Sequence, residues 1–211
     1  MGKHGLFILG AGDGGRLGRG IPKPLVELAG HRLLDMQLAM FQTDDWHIVG
    51  GYKSHLYSFI TDKVLENPSW EDGIITSYQA IYDAASRGGY EYLTCVDGDL
   101  IFSRAAARHL MKPGERILLV SSDCTEAVGL NNYGVSVDSG VLSPGPPDYI
   151  WGCAITLTLP HLKKIIDKDG GLDLFIPRLW GEGGFEPVVE QDIYIEVDTP
   201  EDLEAAQHVF Y

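Results

Sequence analysis

The residues with the clearest chemical character lie between positions 9 and 24. Leu9-Gly10-Ala11-Gly12-Asp13-Gly14-Gly15 runs directly into Arg16, and Arg19 and Lys23 follow shortly after. Glycines let a phosphate approach the backbone, and successive N–H groups in such a loop form an anion-binding nest. Arginine adds a planar fork of donors, and lysine a point charge. Gly10, Gly12 and Gly15 also satisfy G-x-G-x-x-G, the dinucleotide fingerprint, which requires a helix to start at the loop. Gly18, Gly20, Pro22 and Pro24 forbid that helix, because both residue types break helices. The loop therefore reads as a phosphate cradle of another kind, with Arg16 and Lys23 as its cations. Arg19 reads equally well as a solvated charge.

Two groups of carboxylates complement the loop. Asp97-Gly98-Asp99 follows an apolar run, the position at which an open α/β sheet places its ligand site. Asp198 ends a second apolar run, and Glu196, two residues earlier, points to the same strand face. Taken alone, the first is an ordinary polar turn, and Asp198-Thr199-Pro200 is an ordinary helix cap. Beside a phosphate loop they read as ligands for a hard divalent ion, which takes one or two carboxylates with phosphate oxygens and water. The seven histidines show neither a companion nucleophile nor close spacing that points to a triad or a zinc site.

Regular elements must bring these groups together. Leu6–Leu9, Trp46–Val49, Tyr92–Val96 and Arg116–Val120 are short apolar runs that read as buried strands. Between them, apolar spacing predicts helices over Leu33–Phe41, Ser54–Val64 (Leu56, Phe59 and Ile60 inward), Ile74–Ala85 and Arg104–Met111. This alternation implies βαβ units and a mostly parallel sheet covered on both faces. Further on, Tyr133–Leu142 alternates as a strand does, Ser143–Pro147 is a break, and Tyr149–Leu159 reads as a strand. Helices are predicted over Pro160–Lys168 and Leu172–Trp180. A strand follows at Ile193–Val197, then the Thr199 cap, Pro200 and a closing helix over Glu201–Val209. The fold class is α/β: a Rossmann-like three-layer sandwich with a mostly parallel mixed sheet and a small β-containing insertion.

The 211 residues carry 16 Lys+Arg against 30 Asp+Glu, a net charge of −14. That balance excludes a nucleic-acid surface and adhesion to anionic lipid. It leaves room for a small polyanion whose charge is met by metal ions. The longest apolar stretch, Tyr149–Leu159, is interrupted by Gly152 and two threonines, short of the ~20 residues a membrane span needs. Leu6–Leu9 is too short for a signal-peptide core. Cys95, Cys124 and Cys153 read as free, buried thiols, and a cytoplasmic location is expected.

Leu9–Leu17, with Ile21-Pro22-Lys23-Pro24-Leu25-Val26-Glu27-Leu28 and Gly30, resembles the N-terminal signature of nucleotidyltransferases that activate phosphorylated small molecules. That family includes sugar-1-phosphate nucleotidyltransferases, inositol-1-phosphate and phosphocholine cytidylyltransferases, and molybdenum-cofactor guanylyltransferases. Its pattern is Leu-Ala-Ala-Gly-x-Gly-Ser/Thr-Arg-Leu/Met, a gap, then Pro-Lys-Pro/Ala-Leu; here Gly10 replaces the first alanine and Gly15 the Ser/Thr. The resemblance continues through Gly50-Gly51-Tyr52, Asn67, Gly73–Ser77, Asp97–Asp99 and Glu196–Asp202. It implies that Arg16 and the loop from Leu9 to Gly15 wrap a triphosphate, while Lys23 contacts phosphate near the reacting α-phosphorus. By the same resemblance Asp99 and Asp198 hold Mg²⁺, with Asp97 and Glu196 as secondary candidates. An acceptor oxygen, already anionic, then attacks in line and pyrophosphate leaves, so alignment and charge neutralisation replace a general base.

The implied organisation is a single domain over 1–211. A nucleotide-binding half covers about 1–125, an acceptor-binding part about 126–190, and a metal-binding strand and helix about 191–211. The stretch from Glu66 to Ser77 is similar to the segment that phosphocholine-type cytidylyltransferases carry before their base-contacting helix. Asn67 and Ser77 are thus candidate nucleotide contacts with Gly51 and Asp97, although a serine at a helix start is also an ordinary cap. CTP is the favoured nucleotide, and a small phosphorylated alcohol or phosphonate the favoured acceptor. Tyr149, Trp151, Phe175 and Trp180 are candidates to line an acceptor pocket, or else core aromatics, and an aromatic cage would suit a quaternary ammonium. Arg178 and Lys163 are candidate phosphate ligands or solvated helix charges. Rival readings are a sugar-1-phosphate or molybdenum-cofactor nucleotidyltransferase, an Asp-x-Asp glycosyltransferase and a non-catalytic nucleotide sensor. A homodimer is left open.

Overall fold

Short apolar strands dominate a sheet whose carboxyl edge carries the glycine loop and the Asp97–Asp99 turn. The structure is a computed structural model that describes residues 2–129, 134–138, 141–144, 149–167 and 184–210. Its central strands are β1 (Lys3–Gly10), β4 (Trp46–Gly50), β5 (Val64–Glu66), β6 (Tyr90–Asp97), β8 (Arg116–Ser121), β12 (Tyr149–Thr158) and β13 (Glu186–Glu190). They lie in the order β5-β4-β1-β6-β12-β8-β13. All neighbouring pairs are parallel except those made by β12, which runs antiparallel to β6 and β8. Leu6, Phe7 and Ile8 in β1, and Leu93, Cys95 and Val96 in β6, are fully buried, as a two-sided sheet requires.

Helices cover both faces. Thr94 Oγ1 donates to the Leu110 carbonyl, the last residue of α3 (Arg104–Leu110). Its neighbour Cys95 lies instead beside Tyr78 of α2 (Ile74–Gly88). Adjacent strand residues point to opposite faces, so α2 and α3 sandwich the sheet. α4 (Leu159–Asp167) packs on α2, and α1 (Leu33–Phe41) packs on α3. The three-layer α/β sandwich expected from the sequence is the fold observed.

Several smaller elements add to or divide those expected. β2 (Glu27–Leu28) and β3 (His31–Arg32) form a hairpin after the loop. β7 (Leu100–Phe102), β14 (Ile193–Glu196) and β9 (Glu126–Val128) make a second sheet. The alternating segment after Tyr133 is a hairpin of β10 (Gly134–Asp138) and β11 (Val141–Pro144), attached to the start of β12. The helix expected over Ser54–Val64 is absent. A 3₁₀ turn spans Ser54–Phe59 and strand β5 follows. Tyr57, not Phe59, is the buried residue, because its hydroxyl donates to the Gly10 carbonyl at 2.9 Å; Phe59 is 84% exposed and Ile60 37%. The helix expected near 172–180 lies outside the described residues.

The end of the chain folds as expected. Thr199 and Asp202 cap α5 (Pro200–Phe210) reciprocally: Asp202 N–H donates to Thr199 Oγ1, and Asp202 Oδ2 accepts from Thr199 N–H and from Asp198 N–H. A box of this kind fixes the entry of the chain into the helix, and here it fixes the backbone that carries Asp198.

Candidate active site

β1 and β6 are adjacent and parallel, so their carboxyl ends arrive together, with Leu9 opposite Asp97. Gly98 N–H then donates to the Leu9 carbonyl at 2.9 Å. A side chain at Gly98 would place its Cβ 2.5 Å from Pro24 Cγ and 2.7 Å from the Leu9 oxygen. Glycine is needed there because the two backbones and Pro24 touch. This contact sets the phosphate loop against the Asp97–Asp99 turn. On the other side of β1, Tyr52 N–H donates to the Ala11 carbonyl, and a Cβ on Gly51 would collide with Trp70 and the Ala11 oxygen.

After β1 no helix begins. Gly14 takes φ +62°, Gly15 N–H donates to Asp13 Oδ1 at 3.0 Å, and a turn leads to a 3₁₀ segment at Lys23–Leu25. The loop is therefore open-backboned, as the glycine and proline spacing requires. It borders a cavity of about 260 Å³ lined by Leu9 to Gly12, Gly14, Lys23, Pro24, Trp70, Gly73, Ile74, Ser77 and Asp97 to Asp99.

At one end of the cavity the predicted charged groups meet. Lys23 Nζ donates to Asp99 Oδ2 at 2.6 Å and also to Asp198 Oδ1. Arg16 Nη2 pairs with Asp198 Oδ2 at 2.9 Å. Val197 N–H donates to the Asp99 carbonyl, which ties the strand carrying Asp198 to the turn carrying Asp99. Burial works against the Lys23 charge, but Asp99 and Asp198 outweigh it and hold the ammonium above its ordinary pKa. Burial raises Asp99 despite Lys23. Asp97 is held well above the usual carboxylate range by burial, reinforced by Asp99 and Glu196. Glu196 is buried and accepts from the Tyr194 hydroxyl at 3.1 Å.

The donor set suits a hard divalent cation. Asp99 and Asp198, which flank the paired strands β7 and β14, already place an oxygen each on one cationic atom, Lys23 Nζ. Among the described residues no group of three or more His, Cys, Asp or Glu is arranged to hold a metal alone. Two carboxylates with room for substrate oxygens match the way Mg²⁺ is held at phosphate-transfer sites.

The other end of the cavity is apolar and was only partly foreseen. Ser77 lines it, but as the fourth residue of α2 rather than as a cap; the cap position is Gly73, at φ +100°. Asn67 stands behind Ser77. Its Nδ2 donates to Thr76 Oγ1 and Ser77 Oγ, both at 3.0 Å, and its Oδ1 accepts from Ser69 N–H. Trp70 and Ile74 line the cavity, and neither is a site candidate by residue type or spacing. Trp70 packs edge-on to Tyr52 with ring centroids 5.8 Å apart. Of the acceptor candidates, Tyr149 is half-buried at the start of β12, whereas Trp151 is in the core. Phe175, Arg178 and Trp180 lie outside the described residues. Lys163 pairs with Asp167 on an exposed face of α4, and Arg19 is exposed.

A glycine-rich loop with Arg16 and Lys23, set against two carboxylates at the carboxyl edge of a mixed α/β sheet, is the arrangement expected of the nucleotidyltransferase class. The chain belongs to the family of the MobA-like NTP transferase domain, whose model matches residues 6–127. Its fold is shared with the inositol-1-phosphate CTP transferase from T. maritima (TM-score 0.72, 16% identity, covering 99% of this chain and 97% of that one). It is likewise shared with the CTP:phosphocholine cytidylyltransferase from Streptococcus pneumoniae (0.70, 16%, 99% and 100%). A Bacillus anthracis chain assigned as a glucose-1-phosphate thymidylyltransferase is similar too (0.69, 17%, 98% and 94%). At these identities the likeness is one of fold. No curated protein matches the sequence. Among the described residues no helix is long and apolar enough to cross a membrane.

Proposed function

We propose that this nucleotidyltransferase moves a nucleoside monophosphate, CMP by preference, from its triphosphate to a small phosphorylated alcohol or phosphonate, with release of pyrophosphate. The observation that carries the reading is that Lys23 and Asp99 line a cavity walled by the glycine loop and are joined there by Asp198 and Arg16. Loop N–H groups and Arg16 bind the triphosphate, and Lys23 meets the α-phosphate. Asp99 and Asp198 would hold Mg²⁺, which when bound neutralises charge on phosphate oxygens. The acceptor's phosphate or phosphonate oxygen is already ionised near neutral pH, so the chain's own task is alignment and charge compensation. It forms the new P–O bond as the bond to pyrophosphate breaks. The base lies at the apolar end, between Ile74, Ser77 and Trp70.

CTP is chosen because the Glu66–Ser77 segment resembles that of cytidylyltransferases, and two of the fold relatives are named for CTP. The acceptor site is assigned to residues about 126–190, with the half-buried Tyr149 as a described candidate.

The test is pyrophosphate release with Mg²⁺, each of the four NTPs and a panel of phosphorylated alcohols, sugar phosphates and phosphonates. Release with CTP and a small-alcohol phosphate is expected. Release with another NTP alone overturns the cytidylyl assignment. Silence across the whole panel overturns nucleotidyl transfer to this class of acceptor.

A further inference from the structure

The four charged groups assigned to substrate and metal neutralise one another in the substrate-free molecule. Lys23 bridges Asp99 and Asp198, and Arg16 pairs with the remaining oxygen of Asp198. The side chains of Lys23, Asp99 and Asp198 are only 18%, 10% and 16% exposed, against 72% for Arg16. The same groups cannot serve triphosphate and divalent ion while they hold each other.

We propose that Lys23 is the resting occupant of the cation position between Asp99 and Asp198, and that divalent ion and nucleotide displace it together, each binding weakly without the other. The proposal rests on the nucleotidyl-transfer reading and deepens it. A divalent ion arriving alone must expel the ammonium from both of its carboxylate partners and leave it beside a larger positive charge. A triphosphate arriving alone must draw Lys23 and Arg16 away and face two bare carboxylates. A charge stranded in a buried site is unfavourable in either case. When both arrive the partners are exchanged in one step, with the ion on the carboxylates and Lys23 and Arg16 on the phosphates. Each ligand then raises the affinity of the other by the same factor.

The geometry keeps that exchange local. Lys23 sits between Pro22 and Pro24, and Pro24 is buried against Gly98, so the backbone at Lys23 is held. Its stem already passes the phosphate loop: a Cβ at Gly14 would lie 3.1 Å from Lys23 Cγ. Rotation about the lysine stem carries the ammonium from the carboxylates to the loop side of the cavity.

Mn²⁺ binding followed by electron paramagnetic resonance, with and without α,β-methylene-CTP, tests this on the intact chain. In the wild type, the analogue is expected to tighten Mn²⁺ binding by about tenfold or more, and Mn²⁺ to tighten the analogue equally. Lys23→Met without nucleotide is expected to bind Mn²⁺ about tenfold more tightly than wild type, with most of the coupling gone. Arg16→Met, on an exposed side chain, should give the same change at smaller size. Mn²⁺ and analogue that bind the wild type independently overturn the exchange, whatever the variants do. Equal Mn²⁺ affinity in wild type and folded Lys23→Met overturns it too. If no nucleotide binds with or without Mn²⁺, it is the nucleotidyl-transfer reading that fails.

Discussion

A lysine–aspartate pair stands at each end of the central sheet, and the two pairs behave differently because of what surrounds them. At the amino end Lys3 approaches Asp45 at 3.5 Å, with side chains 45% and 35% exposed. Lys3 also lies 3.7 Å over the Tyr90 ring. Tyr90 and His47 in turn pack on Phe7, so this end is closed by an aromatic plug. At the carboxyl end Lys23 meets Asp99 and Asp198 in a recess of glycines and turns, and a cavity opens beside them. Water screens the first pair, and such exposed pairs contribute little. The second pair is desolvated, is shared among four groups and faces a ligand-sized space. Residue type alone does not make a site; convergence on an open backbone does.

The sharpest way to break this comparison is to remove the lysine at each end. Lys23→Ala is expected to lower pyrophosphate release by about 10²–10³-fold, the scale of losing one charge-stabilising donor. Asp99→Asn should match it. Lys3→Ala is expected to leave turnover within about twofold and stability almost unchanged. Turnover that survives in Lys23→Ala, or that collapses in Lys3→Ala with the fold intact, would invert the assignment of the two ends.

Glycine substitutions separate the ends more mildly. Gly98→Ala sets a methyl 2.5 Å from Pro24 Cγ and 2.7 Å from the Leu9 carbonyl, and Gly51→Ala sets one 2.7 Å from the Ala11 carbonyl. Backbone must yield in both, at about 1–3 kcal/mol, or roughly 2–4 °C of Tm per kcal/mol at this chain length. At the amino end, Gly2→Ala meets Glu91, whose carboxylate can swing aside while its Cβ, 2.6 Å away, must give, and it should lower Tm less than either. Thermal unfolding of the three variants checks this, and equal Tm values would deny that the backbones are closely packed at the carboxyl end.

The same contrast explains what the sequence reveals. β1, β4, β6 and β8 are legible because each is an apolar run buried on both faces. β7 and β9, of three residues each, are too short to show a period, and in β13 Pro187 disguises a strand at the sheet's edge. Ser54–Val64 misleads because Leu56, Phe59 and Ile60 mimic helical spacing; what stops the helix is a long-range contact, Tyr57 to Gly10. In the site, Arg16, Lys23, Asp99 and Asp198 are legible by type and by position after strands. Trp70 and Ile74 are not, since a residue between turn and helix shows no sign of facing a cavity until α2 is placed beside β1. Nor can spacing show that Lys23 rests on both carboxylates, which lie 76 and 175 residues away along the chain.

The smallest expected effect belongs to the amino end and concerns pH. His4, near the start of β1, shares a hydrogen bond with Thr94 Oγ1 at 2.8 Å. Burial, aided by the nearby Arg116, lowers its pKa from 6.5 to about 4. Because the folded pKa lies below the unfolded one, the unfolded chain binds more protons between pH 6.5 and about 4. The neutral imidazole's contribution is whole above that window, declines as pH falls through it, and stops changing below about 4. His4→Gln retains a hydrogen-bonding partner for Thr94 but does not titrate. Urea midpoints at pH 7, 6, 5 and 4 should therefore fall less steeply in His4→Gln than in wild type, with turnover at neutral pH unchanged. Parallel midpoints would show that His4 is not held neutral by its surroundings. A change in turnover would show that the amino end reaches the site after all.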